Sequence, residues 1–300
     1  MKNLLLLVSF IVLTTACHNS AHTTEQKSPD STKGSQSAGN VAEAELFNYW
    51  NGFDFNDTAL VSSPQIGEQK LVNFIGMLSS VSDSAAAEAI QSMLKAAEVN
   101  ETSWQYYIKR YAHYLYDPNS PMRSELYYEP VLAYLVKSPK TSDVDRIRYQ
   151  TLLKLVARNQ PGTTATDFSY IKSDGREHKL SEGAANYKML LFYDPTCSHC
   201  AEVLTDLANS SDANSMIDQG KLEILAICPI ADRKPWKDYQ SKIPEKWING
   251  LDAKGEVISK GWYNIQAYPT IFLLDKANKV VLKDAPLDVT LRYLLAKAKS

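Results

Sequence analysis

Residues 187–204 read Tyr-Lys-Met-Leu-Leu-Phe-Tyr-Asp-Pro-Thr-Cys-Ser-His-Cys-Ala-Glu-Val-Leu, and they constrain this chain more than any other stretch. Met189 to Tyr193 form an apolar run, too short for a helix and ended by Asp194-Pro195, so they are expected to form a buried strand. Past Cys197 and Cys200, the residues Val203, Leu204, Leu207 and Ala208 recur at helical spacing. The two cysteines therefore fall at a strand-to-helix turn, in the first turn of the helix. Unpaired backbone N–H groups and the helix dipole favour negative charge there. A thiol so placed ionises more easily, and the thiolate is the reactive form.

CxxC in this context is a redox signature. The competing readings are half of a zinc site and two ordinary buried cysteines. Zinc takes about four ligands, but the other cysteines are only Cys17 and Cys228, and no second CxxC occurs. A c-type haem site needs His directly after the second Cys, where this chain has Ala201. Redox function is the favoured reading, with no metal and no diffusible cofactor. A net charge of −2 without a basic block argues against nucleic acid as a partner.

A length of 300 residues suggests about two domains, and 44% hydrophobic residues suffice for a core in each. The start is read as a targeting segment. Met1-Lys2-Asn3 is followed by the apolar stretch Leu4 to Leu13, too short to span a bilayer, and then by Thr14-Thr15-Ala16-Cys17. Small residues ahead of a Cys resemble a bacterial lipobox, which implies a signal peptide over 1–17 and lipid on Cys17. The expected location is the cell envelope, on a membrane and facing the periplasm, where disulfides can form. Residues 18–41, rich in Ser, Thr and Gly, read as a flexible tether. Its typical span is roughly 27 Å, and its full extension at most about 80 Å.

Residues 42–158 read as a helical domain of unassigned role. Leu71, Phe74, Ile75 and Leu78 form one helical stripe, and Ile90, Met93, Leu94 and Ala97 another. Trp104, Ile108, Tyr111 and Leu115 form a third. Asp117-Pro118-Asn119 breaks that helix, Ser120-Pro121 is expected to start the next, and Pro130 to kink or split it. Ser142 is expected to cap a helix carrying Val144, Ile147, Leu152 and Val156. His113 and the tyrosines read as packing residues, with an aromatic peptide groove as the lesser option. Asn159 to Gly162 read as a linker. A hairpin follows, Asp167–Tyr170 and Glu177–Leu180 around Asp174-Gly175, with His178 on its surface. Leu222 to Cys228 form a second buried strand, parallel to the first by a right-handed crossover. Residues 229–262 read as a long connection. A last hairpin, Thr270–Asp275 with Val280–Lys283, precedes a helix capped by Asp288. Cys228 reads as a core thiol.

Residues 159–300 resemble the thioredoxin fold, and most the membrane-tethered TlpA/ResA-like group. The matching pieces are Gly162, Ala165 to Phe168, Asp174-Gly175, Leu180, Cys197-Ser198-His199-Cys200 and Tyr263 to Ile271. The whole chain resembles Bacteroidota lipoproteins with a helical domain ahead of a thioredoxin-like one. The implied fold class is α+β: a helical N-terminal domain, then an α/β thioredoxin-like domain whose mixed sheet is flanked by helices and extended by an N-terminal hairpin. The resemblance implies that Cys197 attacks, Cys200 resolves and the two form the disulfide. It also implies that Pro269 is a cis-proline facing them, and that Tyr268, Thr270 and Pro195 contact substrate. Three positions depart from the pattern: Thr196 replaces a tryptophan, Leu191 stands where a buried Asp is usual, and Val203 where the ResA-like group has Glu.

The expected function is an envelope thiol–disulfide oxidoreductase acting on protein thiols and disulfides, with a partner that recycles the pair. The alternative is a ligand- or peptide-binding lipoprotein whose thioredoxin-like domain is a scaffold with a structural disulfide. His199, between the cysteines, is expected to stabilise a negative sulfur. The reduction potential should then lie between those of thioredoxin and DsbA, about −270 and −120 mV.

Overall fold

The structure is a computed structural model describing residues 41–298; the expected signal peptide, Cys17 and nearly all of the tether lie outside the described residues. Residues 41–156 form helices only: α1 (41–48), α2 (Thr58–Ser62), α3 (Gln69–Met77), α4 (Asp83–Ala97), α5 (Glu101–Leu115), α6 (Glu125–Lys137) and α7 (Asp143–Val156). The three expected stripes all face one core, with Phe74, Leu94, Trp104 and Tyr111 at its centre. Polar caps set the helix starts: Ser82, Asn100 and Ser142 each accept a backbone N–H one turn in.

Three expectations for this half are corrected. The cap of α6 is Ser124, not Ser120, because the Ser120 hydroxyl is tied to the Tyr114 carbonyl at 2.6 Å and closes the preceding turn. Pro130 does not split α6, which runs through it while Tyr128, Val131, Leu132 and Leu135 are buried on one side. Val144 and Ile147 are not core residues: they are 79% and 66% exposed, and only Val156 of α7 is fully buried.

The second half is built on β3 (Tyr187–Phe192), an interior strand of a seven-stranded mixed sheet. The others are β1 (Ser169–Ile171), β2 (Glu177–Lys179), β4 (Leu222–Cys228), β5 (Ile248–Leu251), β6 (Thr270–Asp275) and β7 (Val280–Leu282), in the order β2-β1-β5-β4-β3-β6-β7. Strand β3 is parallel to β4 and antiparallel to β6. Side chains alternate between faces. Met189, Leu191 and Tyr193 pack on one face with α8 (Ser198–Asn209), α9 (Ser211–Asp218) and α12 (Leu287–Ala298). Leu190 and Phe192 pack on the other with Phe168, Tyr263 and Val257 of α11 (Glu256–Ser259). Both strands of the expected first hairpin form, with Gly175 at φ +81 in the turn between them.

The long connection 229–262 is not featureless. It holds α10 (Arg233–Asp238), α11 and the four-residue strand β5, which pairs parallel to β4 and antiparallel to β1. Its Asn249-Gly250 pair looks like a turn, which hid the strand. Gly250 sits under the Tyr170 ring, where a Cβ would lie 2.5 Å from the ring. Asn249 instead accepts from Tyr193 Oη at 2.8 Å and Trp236 Nε1 at 3.1 Å.

The expected linker is firmly bound. Asn159 is buried at φ +53, donates to the Trp262 carbonyl at 2.8 Å and accepts from Thr166 N at 2.8 Å. Further polar contacts join the halves. Glu125 meets Lys283 at 2.7 Å and accepts from Asn264, Arg123 pairs with Asp284, and Arg158 donates to Lys260 and Gly261 carbonyls.

Candidate functional site: the Cys197–Cys200 turn

Register brings the site together. Phe192 of β3 pairs with Ile227 of parallel β4 and with Thr270 of antiparallel β6. The end of β3 therefore lies beside the start of β6, and the turn 194–197 meets the loop 267–269. Asp194 shapes that turn: its carboxylate accepts from Thr196 N at 2.8 Å and Thr196 Oγ1 at 2.7 Å, and its carbonyl from Cys197 N at 3.1 Å. Asp194-Pro195 marks the end of the strand in the sequence, but the role of the Asp194 carboxylate in holding the turn shows only in the structure.

Cys197 is the N-cap of α8, its sulfur accepting from Cys200 N at 3.2 Å. Cysteine thus takes the place usually held by Ser, Thr, Asp or Asn. The backbone groups that open the helix point at the sulfur, as they would at any anion there. Cys197 is half-buried, and Cys200 behind it is fully buried. Both are free thiols in this structure. Burial, followed by the hydrogen bond to Cys197, pushes the Cys200 thiol up to about 12. The pair is therefore asymmetric: one sulfur reaches solvent, and the other is held protonated until the environment changes.

Cys197 Sγ lies 3.7 Å from the Tyr268 carbonyl, and the Tyr268–Pro269 peptide is cis. Pro269 and Pro195 are both half-exposed beside the pair. Thr270 is different: it is buried, and its hydroxyl donates to the Ala267 carbonyl at 2.8 Å, so its side chain holds the loop rather than reaching a substrate. His199 faces water, its Nδ1 3.3 Å from Glu202. Leu191 is buried, so the position of the usual acid is apolar.

Cys228 ends β4 in the core, its sulfur 3.5 Å from the Ile230 carbonyl, and burial pushes it up to about 11. His178 is less exposed than expected, stacking on Tyr170 and pairing with Glu182 at 2.9 Å. Among the described residues no group of three His, Cys, Asp or Glu could hold a metal ion, and no helix is long and apolar enough to cross a membrane.

Two family models match the chain: a domain of unknown function, DUF5106, over residues 43–159, and a thioredoxin-like model over residues 185–280. A solved thioredoxin-like protein from Bacteroides caccae is 33% identical, with a TM-score of 0.82, and the match covers 86% of this chain and 94% of that one. This chain belongs to the thioredoxin-like family, with a DUF5106 domain ahead of the thioredoxin-like one. Two Bacteroides fragilis structures match a little under half of this chain. One is the C-terminal domain of an uncharacterised protein, 34% identical, covering 46% of this chain and 99% of its own, with a TM-score of 0.45. The other is a conserved protein of unknown function, 36% identical, covering 45% of this chain and 98% of its own, with a TM-score of 0.44. No curated protein matches.

Proposed function

We propose that this protein is an exported thiol–disulfide oxidoreductase working through the Cys197/Cys200 pair. One observation carries the reading: a half-exposed sulfur caps α8 against the Tyr268 carbonyl, with a second thiol buried directly behind it. The Cys197 thiolate attacks one sulfur of a substrate disulfide; the bond between the substrate sulfurs breaks, and the departing thiolate takes up a proton. Cys200 then loses its proton and attacks Cys197, which releases the second substrate thiol and leaves a Cys197–Cys200 disulfide. Two electrons and two protons pass from protein to substrate. A dithiol protein of the envelope returns them. His199 and Pro269 border the pair, and the half-exposed Tyr268 and Pro195 supply the surface on which a substrate peptide lies.

The same proposal includes a lipid on Cys17 and an envelope location, which rest on the apolar run Leu4–Leu13 and the small residues before Cys17. Cys17→Ala should move the protein from the membrane to the soluble fraction.

Reduced protein should reduce insulin disulfides, Cys197→Ser should not, and Cys200→Ser should accumulate a disulfide-linked adduct through Cys197. Full activity in Cys197→Ser, or no adduct with Cys200→Ser, rejects the reading. The scaffold alternative expects a sealed structural disulfide, whereas here the leading sulfur is accessible to a partner.

A further inference from the structure

A cleft of about 770 Å³ runs from the redox turn to the helical half. Pro118, Ser120, Pro121 and Arg123, between α5 and α6, line one side. The facing wall is His199, Val203 and Asp206 of α8 with Pro269 and Ile271. Leu287, Val289 and Leu291 of α12 close it. The cleft borders the redox turn: its His199 is two residues past Cys197, and its Pro269 follows the carbonyl that Cys197 touches. It is thus a cavity of ligand-binding size, with walls from both halves, beside the reactive group.

Its charges are unequally matched. Arg123 is held by Asp284, Asp288 by Arg292 at 2.7 Å, and His199 faces Glu202. Asp206 is exposed and its carboxylate makes no ion pair or hydrogen bond among the described residues, so it is the uncompensated charge of the cleft. The helical wall is anchored: Ser120 is tied to Tyr114, and the adjoining segment is joined to the second half through Arg123–Asp284 and Glu125–Lys283.

We propose that the helical half completes a substrate groove, and that the occupant is an extended polypeptide segment whose disulfide cysteine is flanked by an apolar residue and by Lys or Arg. The inference rests on the oxidoreductase reading above. The apolar residue lies between Val203, Ile271 and Leu287, and the cation meets Asp206. The redox turn then performs the exchange, while the DUF5106 loop 118–123 and Asp206 decide which disulfides reach it.

The test uses the full chain and three probes. Two are peptide disulfides, identical except for Lys or Glu beside the cysteine, with Leu on its other side. The third is bis(2-hydroxyethyl) disulfide, too small to fill the cleft. Wild-type protein should favour the Lys peptide by about threefold in kcat/KM, the size of one exposed ion pair. Asp206→Lys should reverse the preference. Pro121→Trp, which fills the cleft from the helical side, should lower peptide turnover relative to the small disulfide by about fivefold; Pro118→Trp provides a second, independent obstruction. Equal rates for both peptides in wild type and Asp206→Lys, or unchanged ratios in both tryptophan variants, overturn the groove while leaving the oxidoreductase reading intact. Failure to reduce even the small disulfide overturns that reading and this inference with it.

Discussion

Lys283 Nζ lies 2.7 Å from Glu125 Oε2 across the junction of the two halves, and both side chains are almost wholly withdrawn from water. Lys283 also donates to the Val156 and Arg158 carbonyls, both at 2.6 Å, while Glu125 accepts from Asn264. Charges taken out of water this far are tolerated only when paired and hydrogen-bonded. The helical half is therefore fastened to the strand end that precedes α12.

Removing one partner strands the other. Glu125→Ala should destabilise the protein by about 3–5 kcal/mol, read from the midpoint of denaturant unfolding. A double replacement, Glu125→Leu with Lys283→Met, should recover most of that loss, since apolar pairs often match buried ion pairs. A single-variant loss under about 1 kcal/mol would show that the pair is solvated and that other contacts join the halves.

Asp284 gives the junction a pH dependence. Burial raises its carboxyl from the usual 3.8 to about 6, outweighing the opposing pull of Arg123. A raised acid binds its proton more tightly in the folded state than in the unfolded one. The stability it contributes is thus complete below about pH 4 and lost as pH rises through about 6. Between about pH 4 and pH 7, wild type should lose up to about 3 kcal/mol relative to Asp284→Asn. Comparing the two proteins cancels the other carboxylates. A difference that is flat or grows with pH contradicts this assignment.

The two site thiols should differ sharply in reactivity. At about pH 8 a thiol titrating near 12 is ionised to only about one part in ten thousand, and Cys200 is also out of contact with solvent. Brief iodoacetamide treatment of the reduced protein, followed by peptide mass mapping, should find label on Cys197 and almost none on Cys200 or Cys228. Label on Cys200 at a comparable rate means that the buried sulfur is open to solvent.

His199 should raise the reduction potential only slightly. It is exposed, and its Nδ1 lies 3.3 Å from the Glu202 carboxylate rather than against the sulfur. Exposed charge interactions contribute about 0.2–1 kcal/mol, and 30 mV corresponds to about 1.4 kcal/mol for a two-electron couple. His199→Ala should therefore lower the potential by about 5–20 mV in a glutathione equilibration. A drop several times larger implies that the imidazole reaches the sulfur, and no change assigns it no part.

Gly250 should resist substitution. A methyl group there would meet the Tyr170 ring and, at 2.6 Å, the Ile227 side chain. Gly250→Ala should cost about 1–3 kcal/mol through overpacking, measurable as a lowered unfolding midpoint. Wild-type stability in this variant would mean that β1 and β5 can separate without penalty.

Most of the framework was legible in the residues themselves. Met189–Tyr193 and Leu222–Cys228 are short, mostly apolar runs without breakers, and the helical stripes of α3, α4 and α5 repeat at one unmistakable period. Such patterns are local, and burial enforces them. The redox turn was equally legible, because strand, Asp-Pro, CxxC and amphipathic helix are contiguous in sequence. What misled was local in form but tertiary in cause. Ser120-Pro121 has the form of a helix start, yet the Ser120 hydroxyl is claimed by Tyr114 from the preceding helix. Val144 and Ile147 are apolar at helical spacing, yet nothing packs over that side of α7. Strand β5 is too short and too polar to announce itself, and exists because β1 and β4 offer it two ladders.

The sequence by itself determined that two cysteines open a helix after a buried strand, because that depends on residues within one short segment. Only the tertiary structure decided which sulfur faces water and that Tyr268, some seventy residues away, sits against it. It alone also turned the helical half into the opposite wall of a cleft beside the pair. Those outcomes depend on strand register and on buried charges pairing across the junction. Both are set by contacts between distant segments, and no local pattern of residues carries them.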